Sequence, residues 1–196
     1  MINPTYEEPT YKVILLGNSG VGKTCIAKRW TKNLYTDGIE PTLGSANYFK
    51  EVSHSDQNIK ISLWDTAGQE QFRSIAPIYV RGSHCAIIAV SSIDIESMHS
   101  VSQWKELLEK DQDNPIPAIL AITKMDLEPT YSLEQSIEQV KDYFKYIFYV
   151  SAMNGSGIDD LFEMAAILAR EFGNKEKHQP IAVENTTHVK ESSYCC

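Results

Sequence analysis

The segment Gly17-Asn18-Ser19-Gly20-Val21-Gly22-Lys23-Thr24 carries the spacing Gly-x-x-x-x-Gly-Lys-Ser/Thr. Glycines let a loop of this composition curl until successive backbone N–H groups converge on phosphate oxygens. A helix opening directly behind the loop adds the positive end of its dipole at the same point. Lys23 would then reach the β and γ phosphates of a nucleotide, and the Thr24 hydroxyl would ligate Mg²⁺. The run from Asn18 to Thr24, with Cys25 behind it, is therefore the expected phosphate site. The simpler reading, a glycine-rich turn with an exposed lysine, is disfavoured by the strand-like residues before the loop and the helix-like residues after it.

Two further segments stand at the ends of apolar runs. In Trp64-Asp65-Thr66-Ala67-Gly68-Gln69-Glu70, Asp65 can hold the Mg²⁺ hydration shell opposite Thr24. Gly68 offers a backbone N–H to a γ-phosphate, and Gln69 can orient an attacking water as the catalytic residue. Alone, Asp-x-x-Gly usually marks a turn; its position some forty residues after a phosphate loop gives it weight. In Thr123-Lys124-Met125-Asp126, the Asp126 carboxylate can accept from both N1–H and the 2-amino group of guanine. Adenine lacks that amine and would leave the carboxylate unpaired, a type of mismatch that can reject the wrong ligand by roughly 10⁴-fold.

The elements that must position these residues alternate along the chain. Strands are expected at Tyr11–Leu16, Tyr48–Val52, Ile59–Trp64, His84–Ser91, Ala118–Thr123 and Ile147–Val150. Several are nearly continuous apolar runs, as in strands covered on both faces. Helices are expected near Lys23–Asn33, Gln69–Tyr79, Glu96–Glu109, Leu133–Phe144 and Gly157–Phe172, the last with apolar residues at helical spacing. The Ser-Asp-Gln-Asn segment at 55–58 reads as a turn that makes the second and third strands an antiparallel hairpin. The pattern is that of an α/β protein with a mostly parallel sheet, whose ligands bind beyond the carboxyl ends of the strands. It divides the chain into an N-terminal extension, 1–10, one domain, 11–172, and a polar, aperiodic tail, 173–196, expected to be flexible.

Composition narrows the classes of function. The 196 residues carry a net charge of −8, with a pI near 5.1, which argues against non-specific nucleic-acid binding. No apolar run approaches the roughly 18 residues that suggest a membrane span. Met1 to Thr10, with Glu7, Glu8 and two prolines, does not read as a signal peptide, so the Asn185-Thr186-Thr187 glycosylation triplet is discounted. The four cysteines, 25, 85, 195 and 196, suggest a reducing compartment rather than a disulfide or metal framework.

In their order and spacing, the three motifs resemble the Ras superfamily of small GTPases over about residues 11–172. The resemblance implies a three-layer P-loop NTPase (Ras-like) fold, with a six-stranded, mostly parallel sheet and helices on both faces. It also implies binding of GTP and GDP with Mg²⁺. Further residues are assigned by it: Tyr35 against the guanine, Thr42 of Pro41-Thr42-Leu43-Gly44 as a Mg²⁺ ligand in the GTP state, and Ser151-Ala152-Met153 as the loop supporting the base. Within the superfamily the chain looks most like a Rab, through Lys60-Ile61-Ser62-Leu63-Trp64, Phe72-Arg73-Ser74-Ile75, Tyr79-Val80-Arg81-Gly82 and the terminal Cys195-Cys196. That implies geranylgeranyl groups on both terminal cysteines, since two lipids anchor stably where one does not. It further implies a monomer on the cytosolic face of an intracellular membrane, acting in vesicle traffic. Effectors, exchange factors and activating proteins would meet two switch loops, roughly 36–48 and 66–80.

Four positions depart from that pattern. Thr123 replaces the usual Asn of the guanine motif, as it does in the Rho branch, and Met153 replaces a Lys that covers the base. Asn47 stands where Rab proteins place a Phe, and Gln71 where an Arg is common. The first two bear on nucleotide affinity, the last two on partners. No arginine finger is identifiable in cis, so slow intrinsic hydrolysis is expected. Two other readings stay open: a module that holds nucleotide without cycling, and a P-loop kinase for a small molecule.

Overall fold

The protein is described by a computed structural model covering residues 8–36, 38, 42, 44–68, 76–109 and 114–178. Its centre is β1 (Thr10–Leu16), paired in parallel with β3 (Gln57–Thr66) on one side and β4 (Cys85–Ser91) on the other. The sheet continues through β5 (Ala118–Thr123) to β6 (Ile147–Tyr149), and β2 (Ser45–His54) closes the opposite edge antiparallel to β3. The order is β2-β3-β1-β4-β5-β6, five parallel strands and one antiparallel. This is the expected α/β sheet.

Strand periodicity sorts the core into two halves. Val13 and Leu15 of β1 point into one cluster, Ile14 and Leu16 into the other, as alternation of side chains demands. The first half is covered by α1 (Lys23–Lys32) and α6 (Ile158–His178), where the Trp30 and Phe162 rings stack 4.2 Å apart. The second is covered by α2 (Ala76–Val80), α3 (Ile95–His99), α4 (Val101–Glu109) and α5 (Leu133–Val140). Every residue of β4 is buried, which explains the uninterrupted apolar run from Cys85 to Val90.

Several boundaries differ from the sequence reading. The hairpin turn is only Ser55-Asp56, with φ of 47° and 60°, so Gln57 and Asn58 belong to β3. Two consecutive residues in the left-handed region give a turn whose twist matches that of its strands, and both strands run longer than expected. The helix expected over Glu96–Glu109 divides at Ser100, whose hydroxyl donates to the Ser97 carbonyl at 2.7 Å. Such a local bond competes with regular helical pairing. α5 ends at Val140 in a 3-10 turn over Lys141–Tyr143. The last helix runs six residues beyond Phe172, and there Asn174 accepts a hydrogen bond from the Tyr11 hydroxyl at 3.2 Å. Of the helix expected over Gln69–Tyr79, residues 69–75 lie outside the described residues. Among the described residues, no helix is long and apolar enough to cross a membrane.

Candidate functional site

The loop between β1 and α1 is pressed onto the sheet. Gly17 has φ of 133°, and a methyl group there would overlap the Ala89 carbonyl of β4, so no other residue fits. The loop folds back over Lys23, which is 5% exposed and donates to the carbonyls of Gly17 (2.8 Å) and Asn18 (2.7 Å). Burial, partly offset by the charge of Asp65, lowers the Lys23 pKa to about 8, because the ammonium loses water without gaining an anionic partner in contact. Gly68, just beyond β3, is buried against the same loop. A methyl there would overlap Lys23 Nζ and the Asn18 carbonyl. The ends of β1 and β3 and the start of α1 thus meet at one point.

Three oxygen-bearing side chains gather beside it. The Thr24 and Thr42 hydroxyls lie 2.9 Å apart. Asp65 is fully buried, and among the described residues its carboxylate oxygens are the buried side-chain polar atoms without a hydrogen bond. Burial raises the Asp65 pKa; the nearby Thr24 hydroxyl, although outside hydrogen-bond geometry, lowers it, as do the charges of Lys23 and Lys28. A buried carboxylate with both oxygens unpaired is costly unless a cation or water completes it. Hydroxyl and carboxylate oxygens suit a hard cation, and one carboxylate supplemented by phosphate oxygens and water suits Mg²⁺. Among the described residues no three His, Cys, Asp or Glu side chains cluster to hold a metal by themselves. The residues fit Mg²⁺ held jointly with a phosphate.

The far end of the site is built from the ends of β5 and β6. Lys124 has φ of 59°, which turns the chain sharply so that Asp126 faces the Ser151 loop, and Asp126 accepts a hydrogen bond from the Ser151 hydroxyl. The Thr123 hydroxyl sits between the carbonyls of Val21 and Val90, the latter at 3.0 Å. It ties the phosphate loop to the sheet. The residue substituted relative to the Rab pattern keeps a positioning task through its short side chain.

These parts enclose two adjoining hollows. Ser19, Gly20, Lys23, Thr24, Thr42 and Gly68 line one, Thr123, Asp126, Ala152 and Met153 line the other, and Gly22, Cys25, Tyr35 and Lys124 border both. The shared walls make one cleft running from the phosphate loop to Asp126. Thr36, Gly38 and Thr66 at the first hollow, and Ile26 and Leu127 at the second, were not anticipated; the signal available was adjacency to motif residues. Four expected residues stand behind the lining. Asn18 accepts from Trp104 Nε1 at 3.2 Å and donates to the Glu96 carbonyl at 3.5 Å, so its side chain braces the loop against α3 and α4. Val21 and Ser151 are buried supports, and Asp65 lies beneath Thr24. Gln69, Cys195 and Cys196 lie outside the described residues, as does Gln71.

Asn47 takes part in a short relay on the outer face of β2 and β3. Its side-chain oxygen accepts from the Ser62 hydroxyl at 3.0 Å, and that hydroxyl oxygen accepts from Trp64 Nε1 at 3.1 Å. The Trp64 ring lies 6.4 Å from that of Tyr79 and 4.3 Å from Lys12 Nζ. A polar pair therefore fixes the indole where a phenyl ring was the expected neighbour.

Comparison with known proteins agrees with this geometry. A family model described as the Ras family matches residues 12–171. The GTP-binding protein YPT1 of Saccharomyces cerevisiae is 33% identical, with 92% of this chain and 86% of its own length covered. The Ras-related protein Rab-31 of Mus musculus is 34% identical, over 94% of this chain and 96% of its own. The Ras-like GTP-binding protein RYL2 of Yarrowia lipolytica is 30% identical, with 94% and 97% covered. With the matched region spanning β1 to α6, and with the phosphate loop and Asp126 on one cleft above the buried Asp65 carboxylate, the chain belongs to the Ras family.

Proposed function

We propose that this protein is a Rab-like molecular switch that binds GTP and GDP and hydrolyses GTP slowly. The observation that carries the reading is the continuity of the cleft from Lys23 and the phosphate loop to Asp126. A guanine nucleotide spans it with its phosphates at Gly20–Thr24, its base against Tyr35 and its base edge on Asp126. The relatives named as GTP-binding proteins support the same ligand.

Lys23 draws the β and γ phosphates against the loop and exchanges its two carbonyl partners for phosphate oxygens. Thr24, Thr42 and Asp65 supply oxygens on the metal side, directly or through water. Mg²⁺, when bound, neutralises the charge that gathers on the β and γ oxygens. Gly68 offers its N–H to the γ-phosphate, and Gln69 orients the attacking water. Thr42 and Gly68 belong to the two loops that such a grip would order, and loss of the γ-phosphate releases both. Turnover without a partner is on the order of 10⁻⁴ per second, and a protein supplying an arginine raises it by about 10⁵. The terminal Cys195 and Cys196 carry the lipid that places the switch on a membrane, where it regulates vesicle traffic through partners at the switch loops.

The test is single-turnover hydrolysis on protein loaded in EDTA and started with Mg²⁺, with ATP as the control nucleotide. Slow GTP turnover with no ATP binding supports the switch. GTP binding without turnover favours the non-cycling module, and failure to bind GTP overturns the reading.

A further inference from the structure

Arg29, on the last turn of α1, is absent from all three motifs, yet its guanidinium joins both flanks of the cleft. Nε donates to the Ala152 carbonyl at 2.6 Å, and one terminal nitrogen donates to the Met153 carbonyl at 2.8 Å. The other terminal nitrogen donates to the backbone carbonyl (3.2 Å) and side-chain oxygen (3.0 Å) of Asn33. Asn33 caps α1 with φ of 51°, and the chain leaves it directly toward Tyr35. Ala152 and Met153 line the same end of the cleft as Tyr35 and Asp126. Ser151, one residue earlier, orients Asp126.

Resting on the guanine-switch reading, we propose that Arg29 is a positioning residue for guanine. Its fork holds the 151–153 loop against the helix that begins at the phosphate loop, and so sets the dwell time of the nucleotide and its discrimination by base. Three features support this. The bonds go to backbone carbonyls, so they fix the path of the chain whatever side chains the loop bears. The partners lie 123 and 124 residues away, so the contact is tertiary rather than a helix-end cap alone. Met153 is 56% exposed and carries no charge with which to hold the loop itself. A planar guanidinium presents several donors in one rigid fork, which an ammonium cannot reproduce.

The test uses the full chain and its Arg29→Lys and Arg29→Met variants. Three quantities are read: release of labelled GDP in Mg²⁺, the affinity ratio of GDP to inosine diphosphate, which lacks the 2-amino group, and single-turnover hydrolysis of pre-bound GTP. Loss of charge-assisted bonds to the loop should speed GDP release roughly tenfold in Arg29→Met. Arg29→Lys should restore only part of this, the guanine-to-inosine ratio should fall in both variants, and the hydrolysis constant should stay unchanged. Unchanged release, or faster release with an unchanged base ratio, would overturn the role of Arg29 and leave the switch reading standing. Failure of the unaltered chain to bind GDP would overturn both.

Discussion

The hydroxyl oxygens of Thr24 and Thr42 lie 2.9 Å apart although 18 residues separate them. That contact holds Thr42 at the N-terminal turn of α1, beside the unpaired carboxylate of Asp65. On the proposed reading, Thr42 reaches a metal from this position beside Thr24. Replacing Thr42 by Ala should therefore weaken Mg²⁺ about tenfold in the GTP-loaded protein, the expected size for loss of one charge-assisted oxygen contact, and leave the GDP-loaded protein nearly unchanged. Mg²⁺ titration of nucleotide release reads both states. An equal loss in the two would remove Thr42 from the switch.

Asp65 sets function against stability. Its pKa is raised by burial, so the stability it contributes falls as pH rises through the window from 3.8 to its higher folded value, and the ionised form weighs against the fold at neutral pH. Asp65→Asn should stabilise the nucleotide-free chain by about 1–2 kcal/mol, since a neutral amide is easier to bury than an unpaired charge. The same variant should lose most of its Mg²⁺-dependent GDP affinity. Thermal melts with EDTA and with Mg²⁺-GDP would show opposite shifts; destabilisation in both would count against the unpaired-charge account.

Lys23 gives a pH signature. Its folded pKa of about 8 lies below the ordinary 10.5, so the nucleotide-free fold binds fewer protons than the unfolded chain between these values and gains stability as pH rises through that window. Binding of a phosphate restores the charged form. Above a pKa of about 8 the free protein has Lys23 increasingly neutral, so GDP binding at pH 8.5 should take up part of a proton and weaken as pH rises through this region. Calorimetry in two buffers of different ionisation enthalpy measures the uptake. Zero uptake at pH 8.5 would show that Lys23 is already charged before the ligand arrives.

Gln69→Leu separates binding from chemistry. GDP and GTP affinities should remain within a factor of about two, while hydrolysis stimulated by an activating protein falls by roughly 10³-fold or more, since the water loses its positioning group. Single-turnover measurement with such a protein decides it. Normal stimulated rates in the variant would reassign the role of Gln69.

Much of the site was legible because its chemistry is local. A phosphate loop must be contiguous for successive N–H groups to converge, so Gly17 to Thr24 announced itself, and so did Asp65 and Asp126 at the ends of apolar strands. The sheet was equally plain, because continuous apolar runs such as that of β4 have few other places to go. Other features depended on contacts that no local pattern weighs. The break at Ser100 turns on one hydroxyl choosing the Ser97 carbonyl. The length of α6 reflects contact of its last turns with Tyr11, more than 160 residues earlier.

By itself, then, the sequence determined which residues have the types and spacing suited to phosphate, metal and guanine, and that strands deliver them to one end of a sheet. Only the tertiary structure decided how that chemistry is held. It turned Asn18 toward Trp104, placed the Thr123 hydroxyl between two carbonyls, paired Asn47 with Ser62 and Trp64, and set Arg29 across the mouth of the base site. The physical reason is that motif residues are defined by what they offer a ligand, a property of type and spacing. Supporting side chains are defined by which distant carbonyl or ring lies within about 3 Å of them, and that distance exists only after the chain has folded.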